Sequence, residues 1–188
     1  LRAETLRRRR ENVCVVSTLS AVLSLANEGL FADYCVALDA SPALYNQFAG
    51  LEDKLQVTPL IYFPTVHASV LAAWPGPRFA AYSPTDTVFA SLKAALPRGE
   101  LDTDSSVSIS TASLALKLGA KRILLLGLDF AHVNGQSHGK GAQSAVESPG
   151  FDPISGLEWS TESFRGERLA TTPKLLTHCR AMETLIES

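Results

Sequence analysis

SSVSISTASLALKLGAKRILLLGLDFAHVNGQSHGKG, residues 105–141, is the stretch whose reading decides the fold. Its first part is read as a helix from Ser106 to Leu118, closed by a turn at Gly119. Val107, Leu114 and Leu118 form one apolar stripe, Ile109, Ala112 and Leu116 a second, and Ser106, Ser110, Ser113 and Lys117 a polar one. A helix apolar over so much of its circumference packs deeply against a sheet. The apolar run Arg122-Ile123-Leu124-Leu125-Leu126 follows and reads as a strand of a buried sheet. Gly127-Leu128-Asp129 then opens a glycine-rich loop beyond that strand. In parallel α/β proteins ligands collect beyond the carboxyl ends of strands, so a chemical site is expected in this loop.

Upstream, the same helix and strand alternation recurs. Asn12 to Ser17 is a β-branched apolar run, Ser17-Thr18 supplies a helix cap, and Leu19, Val22 and Ala26 follow at helical spacing up to Gly29. Tyr34 to Leu38 is a second strand, which makes a right-handed βαβ unit. Pro42 to Gln47 reads as a short helix, Pro59 to Phe63 as a third strand and Arg78 to Tyr82 as a fourth. Thr85 caps a helix carrying Val88, Leu92 and Ala95, stopped by Pro97-Arg98-Gly99. Downstream, Phe164 to Thr171 reads as an irregular strand or hairpin. Thr172-Pro173 opens a last helix with Leu175, Cys179, Met182 and Ile186 on its core side. The expected fold class is α/β, a Rossmann-like, mostly parallel sheet flanked by helices. One domain over 1–188 is expected, with a polar lid or insertion over 142–161.

Composition narrows the function classes. The chain has 188 residues, 46% hydrophobic and 19% charged, with a net charge of −2. These are the proportions of an ordinary globular domain without a broad polyanion-binding face, so no nucleic-acid partner is expected. Arg7 to Arg10 reads as a local, solvated helix end. Cys14, Cys35 and Cys179 are too scattered for a disulfide framework or a metal knuckle. No apolar run approaches the roughly 18 residues of a membrane span, and no signal-peptide pattern opens the chain, which places it in the cytoplasm.

Several residues carry possible chemistry, each beside a plainer role. Asp39, directly after the second strand, is either a ribose, metal or amine contact or a cap for the Ser41-Pro42 helix. His67 beside apolar neighbours is a structural histidine or a ligand. Asp102-Thr103-Asp104 spells D-x-D, a divalent-metal pattern of many glycosyltransferases, yet it follows a helix-stop signal, where acidic residues also suit a helix dipole. The amino end at Ser106, Ser110 and Thr111 is either an anion site for phosphate or carboxylate or a set of capping and back-bonding hydroxyls. In the loop, Asn134-Gly135 marks a turn, and Gly139-Lys140-Gly141 lets backbone and one ammonium approach a ligand. His138 can act as a general base and Lys140 can neutralise a departing phosphate. Neither a P-loop nor a G-x-G-x-x-G occurs.

Taken in order, Thr18 to Leu23, Gly29-Leu30-Phe31-Ala32-Asp33-Tyr34 to Asp39, Ser106-Val107 to Gly119, and Gly127-Leu128-Asp129-Phe130 to His138 and Gly141 resemble the motility-accessory-factor family. That family shares a central domain with the archaeal MptE-type 6-hydroxymethylpterin diphosphokinases. The segment from Gly166 through the Pro173 helix is similar to the family's carboxyl end. The resemblance implies a domain related in shape to bacterial sialyltransferases, with a glycine-rich G-P-S-L phosphate loop just before Leu1. It also implies transfer of a CMP-activated nonulosonic acid, of pseudaminic or legionaminic type, to Ser or Thr of a protein such as flagellin.

On this reading His138 takes the acceptor proton, with His132 as its alternate and Lys140 offsetting charge on the departing nucleotide. Asp39 and Asp129 orient hydroxyls, while Ser106, Ser110 and Thr111, with Gly127, Gly135 and Ser137, form the nucleotide and sugar site. No cofactor or resident metal is required. The rival implied by the same resemblance is Mg-dependent pyrophosphoryl transfer from ATP to a hydroxymethylpterin, with Asp39, Asp102, Asp104 and Asp129 around the metal. A non-catalytic scaffold of flagellar or polysaccharide assembly is the third expectation.

Overall fold

The computed structural model describes residues 3–104, 106–132, 159–163 and 166–187. These divide into two compact units, Leu1–Lys121 and Arg122–Ser188, where the sequence reading has one domain.

The first unit is built on a five-stranded parallel sheet in the order β1-β2-β3-β4-β5. Its strands are Val16–Thr18, Tyr34–Ala37, Leu60–Tyr62, Arg78–Tyr82 and Gly99–Glu100. A short helix α1, Ala3–Arg8, precedes them, and α2 (Val22–Asn27), α3 (Glu52–Leu55), α4 (Ala68–Ala73) and α5 (Ala90–Ala95) fill the crossovers. The expected α/β class is therefore the observed one.

Side-chain alternation along the strands sorts the core into two layers. Cys35, Ala37 and Leu60 point to one face, where Leu19, Val22, Phe48, Leu55, Val70 and Trp74 from the crossovers cover them. Val36, Ile61, Phe63 and Ala81 point to the other, against Val107 and Leu114 of α6, Val107–Lys117. Successive crossovers in one direction occupy one face, and after β5 the chain returns over the opposite face to pack α6 on β1 and β2. Phe48 is fully buried, edge-on to Trp74 at 5.0 Å and 71°, and each such side chain contributes about 1.5–3 kcal/mol by leaving water.

Local signals fix the helix ends. Gly29 and Gly119 have φ of 64° and 82°. After α2, Leu30 N donates to Leu25 O and Gly29 N to Ala26 O, both at 2.9 Å. After α6, Ala120 N donates to Ala115 O and Gly119 N to Leu116 O. Both ends are the paired 6→1 and 5→2 closure that needs a left-handed residue, which is why glycine stands at each.

Two expectations are corrected. Gly99, read as the end of the Pro97-Arg98-Gly99 helix stop, opens β5, Gly99–Glu100, paired with Ala81 and Tyr82. Arg122 to Leu126, read as a buried strand, has no strand pairing among the described residues, and Leu124 and Leu126 are 64% and 51% exposed. An apolar run becomes a strand only where a ladder partner meets its backbone groups, and this leucine-rich run carries little intrinsic β preference.

The second unit contains a hairpin, β6 Trp159–Glu162 antiparallel to β7 Arg168–Thr171, whose first strand lies before the 164–171 stretch read as an irregular strand or hairpin, and the expected last helix, α7 Pro173–Glu187. Thr172 Oγ1 caps α7 by accepting from Leu175 N at 3.2 Å. Of its expected core stripe Met182 is buried, whereas Ile186 is 59% exposed. The lid read over 142–161 lies outside the described residues except for its end, where Trp159 opens β6. Among the described residues no helix is long and apolar enough to cross a membrane.

Candidate functional site

A parallel sheet gathers the carboxyl ends of its strands along one edge. Here β2 runs into Leu38-Asp39, β3 into Phe63-Pro64-Thr65, β4 into Ser83, and β5 into Leu101-Asp102-Thr103. Beyond the ends of β2 to β5 lies a cleft of ≈ 240 Å³. Its polar wall carries Thr65, Ser83, Thr85, Asp86 and Thr103, and Phe63 and Phe89 are among its apolar residues.

The hydroxyls in this wall are linked. Thr103 Oγ1 donates to Ser83 Oγ at 3.2 Å, and Ser83 Oγ shares a 3.1 Å hydrogen bond with Thr85 Oγ1. Thr65 Oγ1 donates to the Leu38 carbonyl at 2.6 Å, tying the β3 end to the β2 end. Asp86 Oδ1 accepts from Val88 N at 2.8 Å. Lys93, also at the cleft, is ion-paired with Glu100 of β5. Sequence reasoning missed this cleft because its wall comes from four separate strand ends. The one local signal was Ser83-Pro84-Thr85-Asp86, a turn signature directly after a strand.

The structure places the expected site residues as follows. Asp39 is exposed just past β2, and its Oδ1 accepts from Ser41 N at 2.8 Å, while the Pro42–Gln47 turn of 3₁₀ helix is capped by Ser41, whose Oγ accepts from Ala43 N at 3.2 Å. His67 caps α4, its Nδ1 3.2 Å from Ser69 N and 2.7 Å from Ser69 Oγ. Asp102-Thr103-Asp104 follows β5 rather than a helix stop, so the pattern does follow a strand. Asp102 Oδ2 accepts from the buried Ser113 hydroxyl at 2.9 Å, and that hydroxyl accepts from Asp102 N at 3.2 Å. Among the described residues no group of three or more His, Cys, Asp or Glu side chains could hold a metal ion.

At the start of α6, Ser106 is the N-cap and makes no side-chain capping bond. Ser110 is fully buried with Oγ 3.5 Å from the Ser106 carbonyl, and Thr111 Oγ1 donates to the Val107 carbonyl at 2.8 Å. Their hydroxyls thus bond back onto the helix. In the second unit, Gly127 has φ of 70° and Asp129 is exposed. His132 N donates to Ala170 O at 2.8 Å, and Thr171 Oγ1 donates to the Phe130 carbonyl at 2.6 Å, fastening the 130–132 segment to β7. Gly135, Ser137, His138 and Lys140 lie outside the described residues.

The model of the 6-hydroxymethylpterin diphosphokinase MptE-like family matches residues 2–135, the span holding the whole sheet, α6 and the Gly127-Leu128-Asp129 loop. The chain belongs to the MptE-like family. Within this family-typed chain the fold has a second anchor. The structure of the MAf glycosyltransferase from Magnetospirillum magneticum AMB-1 matches 99% of the chain with a TM-score of 0.73 at 19% identity. The MptE-like chain spans 27% of the length of that protein. A comparison with curated proteins finds no match.

Proposed function

We propose that this chain is the Rossmann-like domain of a cytoplasmic glycosyltransferase. Its donor is a CMP-activated nonulosonic acid of pseudaminic or legionaminic type, and its acceptor a Ser or Thr hydroxyl of a protein such as flagellin. The observation that supports the reading is the likeness in fold to the MAf glycosyltransferase over 99% of the chain. In the reaction the bond from the anomeric carbon to the CMP phosphate breaks and the phosphate leaves with the electron pair. The acceptor oxygen forms the new bond, and its proton passes to His138, with His132 as the alternate base. Lys140 offsets the charge gathering on CMP.

Asp39 and Asp129 orient ribose or sugar hydroxyls, and Gly127, Gly135 and Ser137 let the loop backbone approach. Because the Ser110 and Thr111 hydroxyls bond to carbonyls of their own helix, the α6 end would meet phosphate or carboxylate through first-turn N–H groups and Ser106. A monophosphate leaving group asks for no resident metal. Titration of the full-length protein with CMP and a CMP-sugar tests the reading: saturable binding, with transfer that survives EDTA, is expected, and absence of binding would refute it.

The family description favours a second reading, pyrophosphoryl transfer from ATP to 6-hydroxymethylpterin. Asp39, Asp102, Asp104 and Asp129 would then serve Mg²⁺. That activity would vanish in EDTA and require pterin binding, which separates the two chemistries.

A further inference from the structure

We propose that the cleft beyond β2 to β5 binds an uncharged polyol ring, a furanose or a pyranose, with Ser83, Thr85, Asp86 and Thr103 as its hydrogen-bonding wall and Phe63 and Phe89 as its apolar one. The inference deepens the glycosyl-transfer reading and rests on it for the source of the ring.

Hydrogen-bond accounting selects the ligand class. Each hydroxyl has one proton to give and two lone pairs to offer. In the Thr103–Ser83–Thr85 chain two of the three protons are committed internally, while most lone pairs stay open. Thr65 has given its proton to the Leu38 carbonyl. Asp86 adds acceptors only, with one oxygen engaged by Val88 N and the other without a partner among the described residues. Lys93 brings the N–H donors that its pair with Glu100 leaves over, so acceptors still outnumber donors along the lining, and the complement is a ligand that brings several O–H donors.

Charge points the same way. Lys93 is ion-paired with Glu100, and among the described residues Asp86 has no ion pair. A phosphate or carboxylate offers acceptors to acceptors and sets like charges together, so both terms oppose it. Size sets the limit: ≈ 240 Å³ falls below the roughly 300–1,000 Å³ of sites for whole drug-sized ligands, so one ring enters and the rest of a larger substrate extends outside. Phe63 and Phe89 supply the apolar contact expected for the C–H face of such a ring.

The test uses the full-length protein and two uncharged probes, cytidine as the furanose source and the methyl ester of N-acetylneuraminic acid as the pyranose source, followed by saturation-transfer NMR. One of them should bind saturably. Asp86→Asn and Thr103→Val should each weaken that binding about tenfold or more, as expected for loss of a bond to a charged or buried partner, with melting temperatures unchanged. Cytidine sensitive to both variants assigns the cleft to ribose, and the methyl ester of N-acetylneuraminic acid sensitive to both assigns it to the sugar. Binding of neither probe, or variants that bind as the wild type does, would overturn the proposal. A CMP-sugar that still binds Asp86→Asn with wild-type affinity removes the cleft assignment alone. Saturable ring binding without any CMP-sugar binding removes the transfer reading alone.

Discussion

The guanidinium of Arg10 holds both carboxylate oxygens of Asp33, through Nη1 at 2.7 Å and Nη2 at 2.6 Å. The same guanidinium donates to the carbonyls of Val13 and Phe31, and Asp33 Oδ2 also accepts from Val15 N at 2.7 Å. Two residues 23 positions apart thereby fasten the approach to β1 to the approach to β2. Bidentate geometry of this kind is the strong form of an ion pair.

Burial pushes the Asp33 carboxyl upward, but the Arg10 hydrogen bond, the Val15 amide and the Arg10 charge outweigh it and hold its pKa below the usual value. A depressed folded pKa gives stability that is present above the unfolded value, near 4, and lost as pH falls through the folded one. Asp33→Asn should therefore lower unfolding free energy at pH 7. The effect should be about 1 kcal/mol, the 1.5–3 kcal/mol of charged hydrogen bonds discounted for solvent, because Arg10 and Asp33 are 34% and 37% exposed. Urea midpoints at pH 7 and pH 3 check this: the gap between variant and wild type should shrink at the lower pH, and an undiminished gap would refute the linkage.

Ser113 both donates to and accepts from Asp102 while 1% exposed. Ser113→Ala removes both bonds at once and should cost about 1–3 kcal/mol. In a double-mutant cycle with Asp102→Ala the two changes should couple by about 0.5–3 kcal/mol. Strict additivity would show that the pair does not hold α6 to the end of β5.

A Cβ at Gly76 would lie 2.3 Å from the Thr58 carbonyl oxygen and 2.6 Å from that of Leu55, both main-chain atoms that cannot swing aside. Gly76→Ala should destabilise by about 1–3 kcal/mol through overpacking. Gly99 has no such neighbour within 4 Å, so Gly99→Ala should stay within about 0.5 kcal/mol of wild type. Thermal unfolding of the two variants side by side reads the contrast, and equal melting temperatures would contradict it.

Much of the fold was legible because its signals are local. The β-branched run into β1, the apolar run of β2, the glycine stops after α2 and α6, and the Thr172-Pro173 start of α7 all act within a turn or two of themselves. The site was less legible. Asp39 and Thr111 each had two chemically reasonable partners in the sequence, and Asp39 Oδ1 and Thr111 Oγ1 take the local ones, Ser41 N two residues on and the Val107 carbonyl one helical turn back.

The sequence by itself determined the alternation of strand and helix and the family to which the chain belongs. Periodicity and turn chemistry are properties of neighbouring residues. Tertiary structure alone decided that Gly99–Glu100 is a strand while Arg122 to Leu126 is not, and that Thr65, Ser83, Thr85, Asp86 and Thr103 share one cleft. A strand exists only when a distant backbone completes its ladder, and a cleft only when distant strand ends meet. Neither condition is written in any single stretch of the chain.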